Sequence, residues 1–495
     1  MFNKIKNYVA ALLIVTCFVS MIVKAVGGGN TKQIVLSFWG TNLPYQFALE
    51  GVAEQYNQMQ DEYEVVIDKQ DAGNYRIWMG GRLAGGNASD LLATTNVYAN
   101  TDASNGYLYD LSEALSQPNP YSDSGLAWKD DFSGTYLTQV AYANDTSKFF
   151  CVPTSTVSVR IMINTDILQK YNIEIPDESW TFSDYRKICE KLENEGYTAM
   201  EIANAKFINY TVSWAIDIMM AQLKYDEVIG YDKNQNGQVE TEEIVRAFLD
   251  GDDVLNMSKD QDFKEVMQFL KLWSKYWGEG FNSRDDTSEN FLRQSVPMMF
   301  GGSWSVSGIE LTLNNENPEA DKTNPYKMFN YISLPFPRLE KNVYIDKDTT
   351  FTFTNLKDGL PLQELGEPSG CFCIPKSTVD AGKLEGTLDF LRFFTSPQSA
   401  AYMANAAYEI PVTKNVEVNE KMYDFLAPEN SESIRMRFNL LNLSDGVAEE
   451  YHFKQVQMYL MTGSSSISLS TLCKNVQAKY LEVTELIRDD NDWEW

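Results

Sequence analysis

The chain has 495 residues, of which 44% are hydrophobic and 13% aromatic, and its formal net charge is −28. This length exceeds what one hydrophobic core usually supports, so we expect two lobes, and the hydrophobic content excludes a disordered chain. The negative charge argues against nucleic acid or an anionic membrane surface as a partner, because phosphate repels an acidic protein at long range. It favours a neutral ligand or a cation.

The N-terminus has the pattern of a secretory signal. Lys4 and Lys6 precede an almost wholly apolar run from residue 8 to residue 23, and Ala25 then offers a small residue for cleavage. We therefore predict that residues 1–25 are a signal peptide. Two alternatives stay open: lipidation at Cys17, and retention of the segment as an anchor, for which about 16 apolar residues is a short length.

The first predicted unit is strand, helix and strand, at residues 33–40, 45–60 and 63–68. The strands are continuous apolar runs, which is typical of a buried parallel sheet. Trp39 then stands at the carboxyl end of the first strand, the edge where open α/β sheets bind ligands. A helix over 75–85 and a buried strand over 89–96 place Thr95 and Asn96 at the same edge.

Two further segments before the middle of the chain have a predictable secondary structure. Residues 148–164 are long, β-branched and strand-rich, and this segment is expected to run from one lobe into the other. A helix over 185–195 follows, with Thr181 or Ser183 as its N-cap.

Residues 232–243 match the calcium loop D-x-[DN]-x-[DN]-G-x5-E at every fixed place. Gly237 supplies the sharp turn, and Val239 occupies the position that packs inward. The alternative is an acidic, solvated turn. Two neutral Asn ligands predict the weak affinity of an extracellular structural site for Ca²⁺. The predicted oxygen ligands are Asp232, Asn234, Asn236, the carbonyl of Gln238, Glu240 and Glu243.

Residues 297–309 begin as a short apolar run of strand character and break at Gly301 and Gly302. A glycine pair lets the backbone approach another group closely, and the large indole of Trp304 follows at once. This pattern is suitable for one wall of a binding cleft. The alternative is a buried strand whose Trp304 fills the core.

The order of segments resembles the extracellular solute-binding proteins of ATP-driven carbohydrate importers, the family that includes maltose-binding protein. The resemblance covers nearly the whole chain after the signal. In chain order, its pieces are the signal, Phe38-Trp39-Gly40, Asp90-Leu91-Leu92, residues 106–111, Val152-Pro153, residues 163–168, Trp180-Thr181-Phe182, residues 298–309, residues 370–377, residues 388–398 and Ile410-Pro411-Val412.

The resemblance implies an α/β, periplasmic-binding-protein-like fold of type II, with two discontinuous lobes joined by two or three crossing strands. A sugar is held in the cleft, and binding shifts the population from open to closed by hinge motion. Trp304 is expected at a crossing, facing the cleft. The expected lobes are residues 31–152 with 305–369, and residues 153–304 with 370–495, the second containing the calcium loop 232–243.

A pyranose has two faces rich in C–H groups and a rim of hydroxyls, so its binding site needs aromatic plates and polar partners. We assign Trp180 to structure, because the resemblance implies that it opens a helix on the outer face. The predicted plates are Trp39, Trp304 and one of Tyr210 or Trp214. The predicted rim residues are Asn42, Asp71, Thr95, Asn96 and Ser303.

The predicted function is reversible binding of a mono- or oligosaccharide by a monomer, without catalysis. The partners implied by the resemblance are the sugar and the transmembrane subunits of an ABC importer. The protein is then expected in the bacterial cell envelope, either periplasmic or tethered to the outer face of the cytoplasmic membrane.

Three alternatives belong to other classes. A binding protein of the same fold for peptides or polyamines fits the acidic charge. A secreted glycoside hydrolase needs two carboxylates flanking the scissile bond, and no segment places a lone acid at a strand end beside Trp39 or Trp304. A calcium-dependent adhesion module predicts tandem repeats of the calcium loop, whereas the sequence contains one.

The cysteines do not predict a disulfide framework, because five of them remain after the signal. Cys371 and Cys373 lie two residues apart in a predicted strand and point to the same side. A metal pair there lacks a second Cys or His pair. The single histidine, His452, makes a His-ligated zinc site or a Ser-His-Asp triad hard to build.

Overall fold

The computed structural model describes residues 32–40, 43–133, 136–142, 145–205, 211–233, 239, 241–252, 256–313, 326–357, 362–426, 431–434, 446–491, 493 and 495. The strands are β1 (Lys32–Trp39), β2 (Tyr63–Gln70), β3 (Leu91–Thr94), β4 (Ala141–Tyr142), β5 (Asp145–Phe149), β6 (Ser155–Asn164), β7 (Met200–Glu201), β8 (Met298–Gly302), β9 (Tyr331–Leu334), β10 (Asn342–Asp346), β11 (Thr349–Thr352), β12 (Leu362–Ser369), β13 (Cys371–Cys373), β14 (Ile410–Pro411) and β15 (Ser431–Ile434).

The α-helices are α1 (Leu43–Met59), α2 (Tyr75–Ala84), α3 (Asn96–Ser104), α4 (Ser112–Leu115), α5 (Thr165–Lys170), α6 (Phe182–Asn194), α7 (Thr211–Val228), α8 (Thr241–Leu249), α9 (Gln261–Trp273), α10 (Ser288–Leu292), α11 (Val306–Leu313), α12 (Lys376–Asp380), α13 (Leu384–Phe394), α14 (Pro397–Ala406), α15 (Gly446–Leu460) and α16 (Leu469–Asp490). Short 3₁₀ helices include Ser303–Ser305 and Glu420–Phe425.

Lobe 1 is built on a four-stranded sheet of order β13-β3-β1-β2. The central strand β1 pairs in parallel with both β2 and β3, and Ile34, Leu36 and Phe38 are at most 1% exposed. These three side chains share one face, and Ser37 on the other face is also fully buried. Burial on both faces explains why this strand is a continuous, mostly apolar run. The core of the lobe joins residues 34–152 to residues 371–412.

Lobe 2 is built on a larger sheet around β6, which pairs antiparallel with β8 and β9. Its main core runs from Val159 to Leu356 and is completed by residues of α15 and α16. A smaller apolar cluster joins Met162 and Met299 to Val306, Ile309 and residues near 422–425. Thr181 is the N-cap of α6, and its hydroxyl accepts the Asp184 N–H in a capping box.

Three crossing segments join the lobes: residues 152–156, 366–371 and 409–413. The first two residues of β6, Ser155 and Thr156, pair with β12 on one crossing segment and with β14 on another. Backbone bonds then tie the same segments into lobe 1, as between Val152 and Phe372. The hinge is therefore a short piece of sheet shared by both lobes.

The lobe boundaries differ from those expected from the sequence at two places. Residues 305–369 were expected in lobe 1, but the described part of this range packs on lobe 2, because Val306 and Ile309 bury against Met162 and Met299. Residues 370–495 were expected in lobe 2, but β13 pairs with β3, and the described residues 371–412 complete the core of lobe 1. Trp304 consequently does not lie at a crossing.

The predicted signal, residues 1–25, lies outside the described residues. In the part of the chain that the structure describes, no helix is long and apolar enough to cross a membrane.

Candidate functional site

The carboxyl ends of the lobe 1 strands lie on the side of the hinge. Strand β13 starts directly after the crossing segment 366–371 and runs antiparallel to β3, so that Cys371 pairs with Thr94 at the end of β3. Strands β1 and β2 run parallel to β3, and their last residues, Trp39 and Gln70, pair with each other. This edge of the sheet therefore faces lobe 2.

The matching edge of lobe 2 carries Trp304. Strand β6 enters the lobe at Ser155 and β8 returns antiparallel to it, ending with Gly302 opposite Val159. Since Val159 lies near the start of β6, the end of β8 also lies on the hinge side. Trp304 follows two residues later, so Trp39 and Trp304 lie on the sheet edges that border the gap between the lobes.

The indole of Trp304 is 41% exposed although it is a large apolar side chain. One side of the ring lies against the backbone of Gly302, where an added Cβ would overlap the indole. The ring of Trp214, on α7, meets it edge-on with centroids 4.9 Å apart. Trp214 is itself 9% exposed and belongs to the core of lobe 2. Trp304 is thus a supported plate with an open face.

Trp39 has a comparable support in lobe 1. Its half-buried indole meets the Tyr75 ring edge-on, with centroids 5.2 Å apart. The Tyr75 hydroxyl donates to the carbonyls of Ser37 and Ala93, at 3.1 and 2.8 Å, and so ties the ends of β1 and β3 together.

The predicted rim residues of lobe 1 lie at one edge but hold local structure. Asp71 is exposed and accepts hydrogen bonds from the backbone and side-chain amides of Asn74. Thr95 caps α3 by accepting the Tyr98 N–H at 3.3 Å. Asn96 donates to the Gln139 carbonyl at 2.9 Å.

Ser303 differs from the other rim candidates because it is only 4% exposed. Its hydroxyl accepts the backbone N–H of Ser158 at 3.4 Å, which fixes the end of β8 to β6. Its side chain therefore supports Trp304 and is not presented to the gap. The remaining two candidates, Asn42 and Tyr210, lie outside the described residues.

Sequence reasoning missed two residues at the hinge, Tyr45 and Glu409. Burial raises the pKa of the Glu409 carboxyl to about 7, opposed by the hydroxyl of Ser155. Burial, then the charge of Glu409, raises the pKa of the Tyr45 phenol well above its ordinary value. Both side chains nevertheless keep partial contact with solvent. The one signal in the sequence was an acid directly before Ile410-Pro411, within the resemblance.

A separate hollow of about 540 Å³ lies between α11 and the end of α14. Its buried carboxylate, Glu310, accepts the Tyr331 hydroxyl at 2.8 Å and lies 3.6 Å from Lys421 Nζ. The hollow contains none of the predicted ligand residues. Its lining is Glu310, Asn405, Tyr408, Val418, Asn419, Glu420 and Lys421.

The calcium loop is described only in part, because Asn234, Asn236, Gln238 and Glu240 lie outside the described residues. At its ends, a Glu243 carboxylate oxygen accepts the Lys233 N–H at 2.6 Å, which brings the last loop position next to the first, Asp232. Val239 is 7% exposed and packs into the core of lobe 2, as its loop position requires. Across the described ranges, no group of three or more His, Cys, Asp or Glu residues is arranged to hold a metal.

The remaining reactive side chains, the cysteines and the histidine, are buried. The five cysteines of the described residues are buried free thiols, Cys371 and Cys373 among them. His452 is 1% exposed, and its Nδ1 lies 2.7 Å from the Tyr480 hydroxyl, between α15 and α16.

Two α/β lobes, three crossing segments and aromatic plates on the facing edges define a two-lobe binding protein, which confirms the predicted fold class. The chain belongs to the bacterial extracellular solute-binding proteins, whose family model matches residues 51–424. This confirms the family that the sequence resembled.

Solved structures share the fold at low sequence identity. The apo form of RafE from Streptococcus pneumoniae is 13% identical with a TM-score of 0.61, over 92% of this chain and 99% of that chain. RafE in complex with raffinose is 13% identical with a TM-score of 0.62, over 91% and 100%. A sugar transporter from Bacillus licheniformis in complex with stachyose is 14% identical with a TM-score of 0.59, over 91% and 100%. A comparison with curated protein sequences found no match.

Proposed function

We propose that this protein is the substrate-binding component of an ABC importer and reversibly binds a sugar or oligosaccharide between its lobes. The observation that carries the proposal is Trp304, a 41% exposed indole fixed by Trp214 and Gly302 on the lobe edge that faces Trp39. A flat apolar plate of this kind covers the C–H face of a pyranose at low entropic cost.

The similar structures support a carbohydrate over a peptide or a polyamine. Their names specify raffinose and stachyose as ligands, and another describes a chitin oligosaccharide binding protein. A polyamine needs carboxylates beside the plates, whereas Thr95 and Asn96 at the lobe 1 edge are neutral. The alternative ligands remain the first competitors in any binding assay.

Titration of the intrinsic tryptophan fluorescence with raffinose, stachyose, chitin oligosaccharides and monosaccharides tests the proposal. We expect a saturable change with at least one sugar, since ligand contact alters the solvent around Trp304. Peptides and spermidine are the matched competitors. Saturable binding of a peptide or polyamine, with no response to any sugar, would contradict the proposal.

We further propose that the protein releases its ligand unchanged, as a receptor and not as a hydrolase. Prolonged incubation with the bound oligosaccharide, followed by mass spectrometry, should return the sugar at its original mass. Cleavage products would contradict this.

The protein is proposed to be exported and monomeric, and to deliver its ligand to the transmembrane subunits of the importer. The extracellular family supports export. Intact mass and native mass of protein from the original host distinguish cleavage after Ala25, lipidation at Cys17, retention of the segment and self-association.

We also propose that residues 232–243 bind a structural Ca²⁺. The support is local: a Glu243 carboxylate oxygen accepts the Lys233 N–H, and Val239 packs into the core. Carboxylate, amide and carbonyl oxygens are the ligands that Ca²⁺ prefers. Asp232, Asn234, Asn236, Gln238, Glu240 and Glu243 would hold the ion, which would stabilise the start of α8.

A further inference from the structure

The hinge brings polar side chains from separate parts of the chain to one point. A Cβ placed on Gly370 would lie 2.5 Å from Thr154 Oγ1, 3.2 Å from Ser155 Oγ and 3.7 Å from the Tyr45 hydroxyl. Thr154 and Ser155 belong to the first crossing segment, Gly370 to the second, and Tyr45 to the first turn of α1. Three hydroxyls thus surround a backbone position that has no side chain.

Glu409 adds a carboxyl to this group from the third crossing segment. The Ser155 hydroxyl acts on the Glu409 carboxyl, and the charge of Glu409 acts on the phenol of Tyr45. Burial raises the pKa of the Glu409 carboxyl, and the Ser155 hydroxyl opposes that shift.

Glu409 directly precedes Ile410, which pairs with Thr156 of the first crossing segment, so Glu409 lies at the hinge between the lobes. Its side chain is half-buried, and this burial raises the pKa of the carboxyl to about 7. Tyr45 shows the same combination, and α1 begins just after Trp39 and Gly40 at the ligand edge of lobe 1. The two side chains therefore lie between the edges that carry Trp39 and Trp304.

We propose that Glu409 is a ligand-contacting, specificity-determining residue, whose carboxylate accepts a hydrogen bond from a sugar hydroxyl at the floor of the cleft. This assignment rests on the proposed function. Aromatic plates do not distinguish sugars that differ in the orientation of one hydroxyl, whereas a desolvated acceptor does, because a hydroxyl in the wrong place leaves it unpaired.

The assignment has a pH consequence. The ionised carboxylate is a stronger acceptor than the neutral acid, and a hydrogen bond to it favours the ionised form. Affinity for the sugar should therefore rise as the pH rises through about 7. If the sugar contacted only exposed side chains at the rim, its affinity would not rise in this pH range.

The experiment is calorimetric titration of the full chain with raffinose, stachyose and chitin oligosaccharides at pH 5.5 and pH 8.0. For a sugar that binds, we expect at least fivefold tighter binding at pH 8.0. Glu409→Gln should bind at least tenfold more weakly at pH 8.0 and show no pH dependence. The matched control is Glu174→Gln, which removes an exposed acid between α5 and α6 of lobe 2. We expect it to behave as the wild type.

The pH dependence of the wild type is measured without any variant. It therefore still tests the role of Glu409 if Glu409→Gln fails to fold. Sugar binding that is equally strong at both pH values, weaker at pH 8.0, or still pH-dependent in Glu409→Gln would overturn the role of Glu409 and leave sugar binding intact. Absence of binding of any sugar at either pH would overturn the proposed function and this assignment with it.

Discussion

The ring of Trp304 meets the ring of Trp214 edge-on, with centroids 4.9 Å apart and 62° between the ring planes. An aromatic pair prefers this arrangement because the positive edge of one ring faces the negative face of the other. The pair has one buried member and one open member, so the core of lobe 2 fixes the orientation of an exposed plate. A plate that is already oriented loses little entropy when a ligand binds.

Replacing Trp304 with Ala should weaken sugar binding at least tenfold, which corresponds to about 1.4 kcal/mol, without unfolding the protein. The indole is 41% exposed, so its loss costs contact area with the ligand and little core packing. The control is Trp495→Ala, because Trp495 is 36% exposed but lies near α8, where its indole donates to Glu242. Equal affinity of the wild type and Trp304→Ala would return Trp304 to a structural role.

Calcium should raise the melting temperature of chelator-treated protein. At a Ca²⁺ concentration about 100 times Kd, a site present only in the folded state adds about 2.7 kcal/mol of stability. Glu243→Gln should abolish most of this gain, because it removes the bidentate carboxylate of the last loop position. Glu242→Gln changes the neighbouring, non-ligating acid and should keep the gain. An identical melting temperature with Ca²⁺ and with chelator would refute the site.

The stability of the protein should fall as the pH rises from 4.5 to 7 because of Glu409. The folded pKa of about 7 lies above the ordinary value of 4.5, so the folded state holds the proton more tightly than the unfolded state. The stabilisation is complete below pH 4.5 and is lost as the pH rises through 7.

Glu409→Gln has no carboxyl to ionise, so its advantage over the wild type should grow across this range to roughly 3 kcal/mol and then stay constant. Urea unfolding of both proteins at pH 5, 6, 7 and 8 measures the difference directly. A difference that is independent of pH would show that Glu409 ionises as readily in the folded state as in the unfolded chain.

Gly370→Ala should destabilise the hinge more than Gly382→Ala destabilises the turn after α12. Both glycines have a positive φ, +55° and +70°, and an alanine in this region costs about 1–2 kcal/mol. Only at Gly370 does the new Cβ also overlap another group, since Thr154 Oγ1 lies 2.5 Å away. Urea unfolding compares the two variants, and equal losses of stability would mean that the crossing segments move aside freely.

The sequence predicted the early α/β elements closely. The expected strand over 33–40 is β1, Lys32–Trp39, and the expected helix over 45–60 is α1, Leu43–Met59. These elements depend on hydrophobic period and chain direction, which are local properties. The place of Trp39 at the ligand edge follows from the same properties, because the carboxyl ends of parallel strands share one edge.

The sequence did not predict which lobe a late segment joins. Val306 and Ile309 form an apolar helix face that suits either lobe, and only its packing against Met162 and Met299 of lobe 2 decides between them. Cys371–Cys373 is too short a strand to indicate its partner, and its pairing with β3 places the following residues in lobe 1.

By itself, the sequence determined two α/β lobes, the ends of the first strands and the aromatic side chains suited to a sugar, because periodicity and residue type are written along the chain. The tertiary structure decided the lobe boundaries, the support of Trp304 by Trp214, and the meeting of Glu409 with Ser155 and Tyr45. These depend on contacts between residues more than 80 positions apart, and the free energy of such contacts has no trace in any local pattern.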